Sequence, residues 1–243
     1  MSYVLILGAK SDIARAVARV YAGAGYDLFL AARGAADLDG FARDIMVRTG
    51  RDVRCVDLDI LDFGSHGAFY QGLGKRPGGV ISAVGYLGDQ ARAEQDFDEA
   101  RTIVDTNYTG LVSLLNIVAR DFEQSRSGFM VVISSVAGDR GRKGNYLYGS
   151  AKAALTAYLS GLRNRLHGSG VQVLTVKPGF VATKMTAHMK LPGLLTARPE
   201  TVAKDIYKAQ TGKRDVLYTL WVWRWIMLIV RSIPEGIFKK LSL

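Results

Sequence analysis

Short apolar runs alternate with longer stretches of helical periodicity along almost the whole chain. Runs rich in β-branched residues predict strands at 3–7, 27–31, 53–56, 79–83, 129–134, 171–176 and 216–219. Apolar residues at helical spacing predict helices at 12–24, 35–49, 63–73 and 146–167, and one or two long helices over 94–122. Right-handed crossovers between such strands build a parallel sheet with helices on both faces. The pattern predicts a doubly wound α/β domain of about seven strands over 1–216, then an amphipathic helical segment, 217–243.

Composition agrees with one folded domain. The 243 residues are 49% hydrophobic and 22% charged, which is typical of a globular chain with a buried core. Cys55 is the only cysteine, so no internal disulfide can form and a reducing compartment suits the chain. The N-terminal run Tyr3–Leu7 has no basic leader, so we expect a cytoplasmic location.

The first predicted strand runs directly into a glycine turn and a helix. This arrangement favours an anion, because the free N–H groups and the dipole of a helix N-terminus attract it. Gly8 permits the tight turn, Ser11 is a candidate phosphate donor, and Asp12 can cap the helix. Gly8, Lys10, Ser11, Asp12 and Ile13 are therefore candidate dinucleotide-binding residues. An ordinary strand-to-helix connection explains the same pattern equally well.

The ends of the second and third strands bear on the identity of the nucleotide. Nicotinamide dinucleotide folds often place an acid after the second strand, where it holds the ribose hydroxyls. Arg33 follows that strand here and no acid occurs before Asp37, so Arg33, helped by Lys10, favours NADPH over NADH. Asp57, with Leu58 after it, ends the third strand and could contact the adenine amino group. Arg33 as a solvated loop charge and Asp57 as a turn residue are the alternatives.

Tyr148 and Lys152 lie four residues apart on a predicted helix, which puts both on one face. A tyrosine with a pKa near 10 is a sluggish acid at neutral pH. A nearby ammonium favours the phenolate, so we expect Lys152 to lower the pKa of Tyr148. Ser135 ends the fifth strand, where parallel strands face their ligand crevice, and could polarise the same carbonyl oxygen. A tyrosine and a lysine at this spacing also occur by chance, so the ordered set of turn, serine and helix carries the interpretation.

In these motifs the chain resembles the short-chain dehydrogenase/reductase family, from Tyr3 to about Lys184. The resemblance rests on residues 8–14, Asn107, 133–138, 148–152 and 178–183. It implies a Rossmann fold, no metal, a Ser135–Tyr148–Lys152 triad, and Asn107 holding a water beside Lys152. Asn107 as an ordinary polar helix residue is the alternative. The family's cofactor contacts would correspond to Gly85, Lys152, Pro178, Gly179, Val181 and Thr183.

The sequence departs from the family pattern in two places. Residues 82–85 read Ser-Ala-Val-Gly where the family has Asn-Asn-Ala-Gly. The first glycine turn has Asp12 and Ala14 where dinucleotide-binding turns often have glycine. Both departures concern the cofactor site and leave the proposed catalytic residues intact.

The C-terminal segment concentrates aromatic and basic residues. Trp221, Trp223 and Trp225 are the only tryptophans, and residues 184–243 hold 11 Lys/Arg against 4 Asp/Glu in a chain of net charge +10. The apolar run 217–230 contains Arg224 and is shorter than the roughly 20 residues that a membrane-spanning helix needs. Clustered tryptophan and flanking cations favour a helix at a membrane surface. An oligomer interface or a helix packed on the core is the alternative, and no motif supports nucleic-acid binding.

Several segments also resemble the decaprenylphosphoryl-2-keto-erythro-pentose reductases. They are 85–89, 107–109, 138–142, 185–188 and the tail positions Arg224, Ile233, Pro234, Phe238, Lys239 and Lys240. This resemblance implies a keto-sugar on a polyprenyl phosphate as the substrate and a flavoprotein oxidase as the partner that makes the ketone. Arg140, Arg142 and Lys143 could then meet the lipid phosphate, or be solvated loop charges.

Two other functions fit the sequence. One is a soluble homo-oligomeric reductase of a small ketone, alcohol or steroid, with the tail as the subunit interface. The other is a non-catalytic nucleotide-sensing protein, supported by the altered glycine turn alone.

Overall fold

The computed structural model describes residues 2–187 and 192–241, so His188 of the resemblance lies outside the described residues. Seven strands form one parallel sheet in the order β3-β2-β1-β4-β5-β6-β9. They are β1 (Tyr3–Leu7), β2 (Asp27–Ala32), β3 (Val53–Asp57), β4 (Pro77–Ser82), β5 (Phe129–Ile133), β6 (Gln172–Pro178) and β9 (Val216–Thr219). The predicted seven-stranded sheet, including its last short strand, is confirmed.

Helices cover both faces of this sheet. They are α1 (Asp12–Gly23), α2 (Asp39–Thr49), α3 (His66–Gly72), α4 (Gln90–Ala93), α5 (Phe97–Val104), α6 (Gly110–Ser125), α7 (Tyr146–Leu166), α8 (Pro199–Thr211), α9 (Val222–Ser232) and α10 (Glu235–Phe238). Val4 and Ile6 of β1 pack with α1, α2 and α8 on one face, and Leu5 and Leu7 pack with α3, α6 and α7 on the other. Because β1 is buried on both faces, its sequence is continuously apolar rather than alternating.

Two predicted helices differ from the observed ones. The helix predicted at 35–49 begins with a tight 3-10 turn, Ala35–Leu38, before α2. The helix predicted at 63–73 shortens to α3, because its first residues form turns in which Asp62 and Asp59 accept hydrogen bonds. The segment 94–122, predicted to hold one or two helices, holds α5 and α6, which are joined by a π-helical turn, Asp105–Thr109.

Strand order reverses between β1 and β4, so the connections that leave their carboxyl ends run to opposite faces of the sheet. In open α/β sheets this is where a ligand crevice forms. A separate two-stranded ladder, β7 (Phe180–Val181) with β8 (Thr196–Ala197), borders the crevice beyond β6. The fold thus directs the ends of β1, β4, β5 and β6 toward one place.

The C-terminal segment is integrated with the domain. β9 crosses the predicted boundary at 216/217 and pairs with β6. Trp223 and Met227 of α9 are buried and pack with Val136. In the described ranges, no helix has the length and apolar character needed to cross a membrane.

Candidate active site

A cavity of about 690 Å³ opens at the carboxyl ends of the central strands. Its lining includes most of the predicted site: Lys10, Ser11, Asp12, Ile13, Gly85, Ser135, Tyr148, Lys152, Pro178, Gly179, Val181 and Thr183. The segments that follow β1, β4, β5 and β6 therefore meet at one crevice. The other predicted site residues do not line the cavity; they are Gly8, Arg33, Asp57, Leu58 and Asn107.

The first helical turns of α7 bring Tyr148 and Lys152 to the end of β5. Ser135 lies close enough to the Tyr148 hydroxyl to lower its pKa slightly, and Ser135 Oγ accepts from the Ala137 amide at 3.0 Å. Lys152 Nζ lies 5.6 Å from the centroid of the Tyr148 ring and donates to the Ile133 carbonyl at 3.2 Å. The three groups that sequence spacing singled out therefore form one cluster.

Burial controls the ionisation of this cluster. It raises the pKa of Tyr148 to about 12, against a smaller opposing effect of Ser135. It also lowers the pKa of Lys152 to about 7, because an ammonium is penalised away from water. The expected lowering of the Tyr148 pKa by Lys152 is therefore wrong, because desolvation of the Tyr148 hydroxyl is the largest effect and the amine of Lys152 is itself readily deprotonated.

Asn107 sits in the π-helical turn between α5 and α6. Its Nδ2 donates to the carbonyls of Ile103 at 2.8 Å and Tyr86 at 2.6 Å, and its Oδ1 accepts from the Tyr86 amide at 3.2 Å. A Cβ placed on Gly85 would lie 3.4 Å from Asn107 Oδ1 and 3.7 Å from Lys152 Nζ. Asn107 and Lys152 thus approach the same glycine. The π-helical turn, which helical periodicity did not reveal, directs the amide there.

The glycine turn has the shape that a pyrophosphate requires. Gly8 has φ +73°, and a Cβ there would lie 2.9 Å from the Val84 amide nitrogen. The first amides of α1 have no intrahelical acceptors and open toward the cavity wall formed by residues 10–13. The backbone therefore fits a dinucleotide at this point, despite the missing glycines.

Two roles within the turn differ from expectation. Ser11 caps α1, because its Oγ accepts from the Ala14 amide at 3.1 Å. The predicted helix cap at Asp12 is therefore wrong. Asp12 Oδ2 instead accepts from the Lys184 amide at 2.8 Å, which ties the turn to the segment after β7.

The residues predicted to select the nucleotide lie at or just after the carboxyl ends of β2 and β3. Arg33 is exposed and has no hydrogen-bond or ion-pair partner within the described ranges. Lys10 lies 2.6 Å from Asp37, and this contact lowers the pKa of the Asp37 carboxyl. Asp57 Oδ1 accepts from the Ala35 amide at 3.0 Å, so it holds the turn after β2, and its neighbour Leu58 is buried.

The tail supplies a wall that sequence reasoning did not assign to the site. Trp223 lines the cavity, and its Nε1 donates to the Leu195 carbonyl at 3.1 Å. A Cβ on Gly179 would collide with the Trp223 ring, so glycine is needed at that position. The sequence did not predict that Trp223 lines the cavity, because its clustering with two other tryptophans suggested that all three share one surface.

The three cations after β5 are separated by the fold. Arg140 donates to the carbonyls of Val230 at 2.8 Å and Ile233 at 2.5 Å, and to Glu235 Oε2 at 2.8 Å. Arg140 is thus engaged with the tail and is not the solvated loop charge that was one of its two interpretations. Arg142 lines the cavity, whereas Lys143 is exposed.

Comparison with known proteins agrees with this geometry. Residues 2–191 match the short chain dehydrogenase family. The chain is 39% identical over 241 residues to an uncharacterized oxidoreductase of Mycobacterium tuberculosis, covering 98% of this chain and 96% of that protein. It is 32% identical over 188 residues to sulfoacetaldehyde reductase 2 of Chromohalobacter salexigens, covering 75% and 74%.

A solved structure gives the same fold. The short-chain dehydrogenase of Sphingobium yanoikuyae in complex with NADPH superposes with a TM-score of 0.84 at 25% identity, over 97% of this chain and 98% of that one. The family match and this fold extend over the crevice, the strand-end serine and the tyrosine–lysine helix. The chain therefore belongs to the short-chain dehydrogenase family and is an NAD(P)-dependent oxidoreductase.

Proposed function

We propose that the protein reduces a ketone to an alcohol with NADPH, using Ser135, Tyr148 and Lys152, with Asn107 as the fourth member of the catalytic set. The observation that carries this proposal is the assembly of Ser135, Tyr148 and the buried Lys152 in one cavity, with Lys152 Nζ 5.6 Å from the centroid of the Tyr148 ring. A nucleotide-sensing role would not require these groups to be assembled. The intact cluster therefore favours catalysis over sensing.

The chain's own groups suit the reducing direction. When bound, NADPH supplies a hydride to the carbonyl carbon. Tyr148, with a pKa of about 12, keeps its proton at neutral pH and can donate it to the carbonyl oxygen. The Ser135 hydroxyl hydrogen-bonds that oxygen and stabilises its developing negative charge. Lys152, with a pKa of about 7, exchanges protons readily at neutral pH and is placed to restore the one that Tyr148 gives up.

The cofactor follows from the crevice. Gly8 and the first amides of α1 would hold the pyrophosphate, and Ser11 would donate to it. Arg33 would pair with the ribose phosphate of NADPH, since it is exposed and free of other partners within the described ranges. The Sphingobium relative has NADPH bound in the same fold. Pro178, Gly179, Val181 and Thr183 would border the nicotinamide.

For the substrate, the proposal extends to the keto-sugar of a polyprenyl-phosphate pentose, produced by a flavoprotein oxidase and met at the cytoplasmic face of a membrane. The motif resemblance supports this class. So does α9, which contributes Trp223 to the cavity on one side and exposes Trp221, Trp225 and Ile229 on the other. A lipid-borne ketone needs an enzyme whose cavity opens close to the bilayer.

Turnover assays test both the catalytic assignment and the proposed substrate class. NADPH oxidation is measured with the 2-keto polyprenyl-phosphate pentose in detergent and with a small neutral ketone. Tyr148→Phe should lose at least about a hundredfold in kcat, because the proton donor is removed. Tyr146→Phe is the matched control, since Tyr146 is an exposed tyrosine on the same helix, and should retain wild-type activity.

The outcomes separate the levels of the proposal. Full activity of Tyr148→Phe would refute the catalytic assignment. Turnover of the small ketone but not of the lipid-linked one would refute the substrate class and favour the smaller-substrate reductase, with α9 as a contact between copies of this chain.

A further inference from the structure

Arg142 is a cation built into the wall of the catalytic cavity. It lies in the loop between β5 and α7, and it lines the same cavity as Ser135 and Tyr148. Its two cationic neighbours in the loop differ from it. Arg140 binds the tail, and Lys143 projects into solvent.

The hydrogen-bonding capacity of this guanidinium is largely unused. Within the described residues, Arg142 Nε is buried and has no partner. One terminal nitrogen lies 3.3 Å from Met227 Sδ, and a thioether is only a weak acceptor. A guanidinium has five N–H donors, and among the residues that the structure describes the only hydrogen-bond acceptor of Arg142 is Met227 Sδ.

The charge of Arg142 is also poorly compensated. Burial lowers the pKa of Arg142, and Asp139 is the group whose charge opposes that shift. Asp139, however, already binds Lys177 Nζ at 2.5 Å and the Tyr218 hydroxyl at 3.0 Å. Removing a cation from water without a dedicated counterion is costly, and an anion supplied by a ligand removes that cost.

We propose that Arg142 binds an oxyanion of the substrate, in the class of a phosphate ester, within the catalytic cavity. A planar guanidinium matches such a group because two parallel N–H donors can bind two of its oxygens. Arg142 would then select anionic ketones over neutral ones. This inference rests on the proposed reductase function, because it assigns part of the substrate to the same cavity.

Binding and turnover are measured on the NADPH-loaded protein for wild type, Arg142→Gln, Arg142→Lys and Lys143→Gln. Calorimetry with geranyl phosphate, geraniol and inorganic phosphate reports the site without catalysis. Arg142→Gln should weaken geranyl phosphate at least about tenfold and leave geraniol unchanged. Lys143→Gln removes the same charge one residue away, outside the cavity, and should leave the affinities for geranyl phosphate and for geraniol unchanged.

Turnover of dihydroxyacetone phosphate and dihydroxyacetone supplies the second readout. Arg142→Gln should raise the KM for the phosphate ester about tenfold with little change in kcat, and should leave the kinetics of the neutral ketone unchanged. If Arg142→Gln does not fold, Arg142→Lys decides. A single ammonium should bind geranyl phosphate several-fold more weakly than wild type, and unchanged affinity would overturn the proposal.

Equal losses for charged and neutral ligands would show a structural role for Arg142 and overturn the proposal, as would unchanged affinity of Arg142→Gln for geranyl phosphate. Tighter binding of geranyl phosphate than of inorganic phosphate supports a lipid source, and equal binding supports a free phosphate ester. Failure of the reductase proposal is distinct. In that case neither ketone is reduced, yet geranyl phosphate binding still depends on Arg142.

Discussion

Burial acts in opposite directions on the two titratable groups of the catalytic helix. Tyr148 keeps its proton more firmly and Lys152 less firmly than either would in water. The folded protein therefore holds a protonated phenol next to a readily titrated amine. Their proximity favours proton exchange, and desolvation of the ammonium lowers the stability of the folded state.

That cost should appear in stability as a function of pH. The pKa of Lys152 falls from 10.5 to about 7 on folding, so between these values the unfolded chain binds the extra proton. The contribution of Lys152 to the free energy of unfolding therefore rises with pH through that window, and its destabilising effect is largest below pH 7. Lys152→Met should be more stable than wild type at pH 6, and its advantage should shrink by about 2 kcal/mol by pH 9.

Urea unfolding at both pH values measures this difference. Lys143→Met is the control, because Lys143 is an exposed lysine in the adjoining loop. A change in the free energy of unfolding with pH that wild type and Lys143→Met share comes from other titrating groups, and it is subtracted. A Lys152→Met advantage that is the same at pH 6 and pH 9 would show that Lys152 keeps its charge in the folded protein.

Residue identity and spacing were sufficient to predict that Ser135, Tyr148 and Lys152 lie together, because their order along the chain is local. Trp223 was not assigned to the cavity from sequence, and Arg142 was one of three loop cations interpreted either as a contact to a lipid phosphate or as a solvated charge. The positions of Trp223 and Arg142 in the cavity wall depend on packing of α9, which places Met227 beside Arg142, 85 residues earlier in the chain. The sequence pattern does not reveal such a contact.

At the level of elements, the β1–α1 turn depends on one residue without a side chain. Gly8 combines a positive φ with close approach to the end of β4. Gly8→Ala should reduce the free energy of unfolding by about 2 kcal/mol or more, since the left-handed backbone alone costs roughly 1–2 kcal/mol and the Cβ also meets Val84. NADPH affinity should fall with it, because the phosphate-binding turn must shift.

Gly23→Ala in α1 is the matched control. A Cβ there meets nothing within 4 Å, so stability should stay the same or rise by up to about 1 kcal/mol. Urea unfolding and NADPH titration of both variants give the comparison. Tight NADPH binding by Gly8→Ala would contradict the assignment of this turn to the pyrophosphate.

One side chain, that of Arg140, makes several contacts with the tail elements. Arg140 donates to carbonyls at the end of α9, pairs with Glu235, and stacks on Phe238 with its guanidinium carbon 3.7 Å from the ring centroid. Arg140→Gln should cost about 2–4 kcal/mol and speed proteolysis after residue 221, because several charge-assisted contacts disappear together. Lys143→Gln should behave as wild type, and equal protease resistance of both variants would contradict the role given to Arg140.

The amphipathic character of this tail could be predicted from sequence, but its orientation could not. Helical spacing is the same whichever face packs inward, and the choice depends on the shape of the cavity wall. The fold turns Trp223 and Met227 inward and leaves Trp221 and Trp225 outside, so the three tryptophans are divided between the cavity wall and an exposed surface.

The whole molecule therefore presents an exposed strip on α9 close to its catalytic cavity. Trp221, Trp225, Leu228 and Ile229 share one helical face, and all are at least half exposed. Arg224 and Arg231 flank that face by helical spacing, and both are exposed. Apolar residues bordered by cations complement a bilayer of anionic lipid, where each well-placed cation adds about 1 kcal/mol of attraction.

Vesicle flotation tests this surface. The protein should float with vesicles containing phosphatidylglycerol and much less with pure phosphatidylcholine, and added salt should release it. Trp225→Ser combined with Ile229→Ser should reduce binding at least about tenfold, because each side chain contributes roughly 1.5–3 kcal/mol when buried in lipid. Val47→Ser removes another exposed apolar residue, on α2, and should float as wild type does. If the double variant floats unchanged but splits an oligomer into monomers, the strip is a contact between copies of this chain, and the enzyme meets its ketone away from the bilayer.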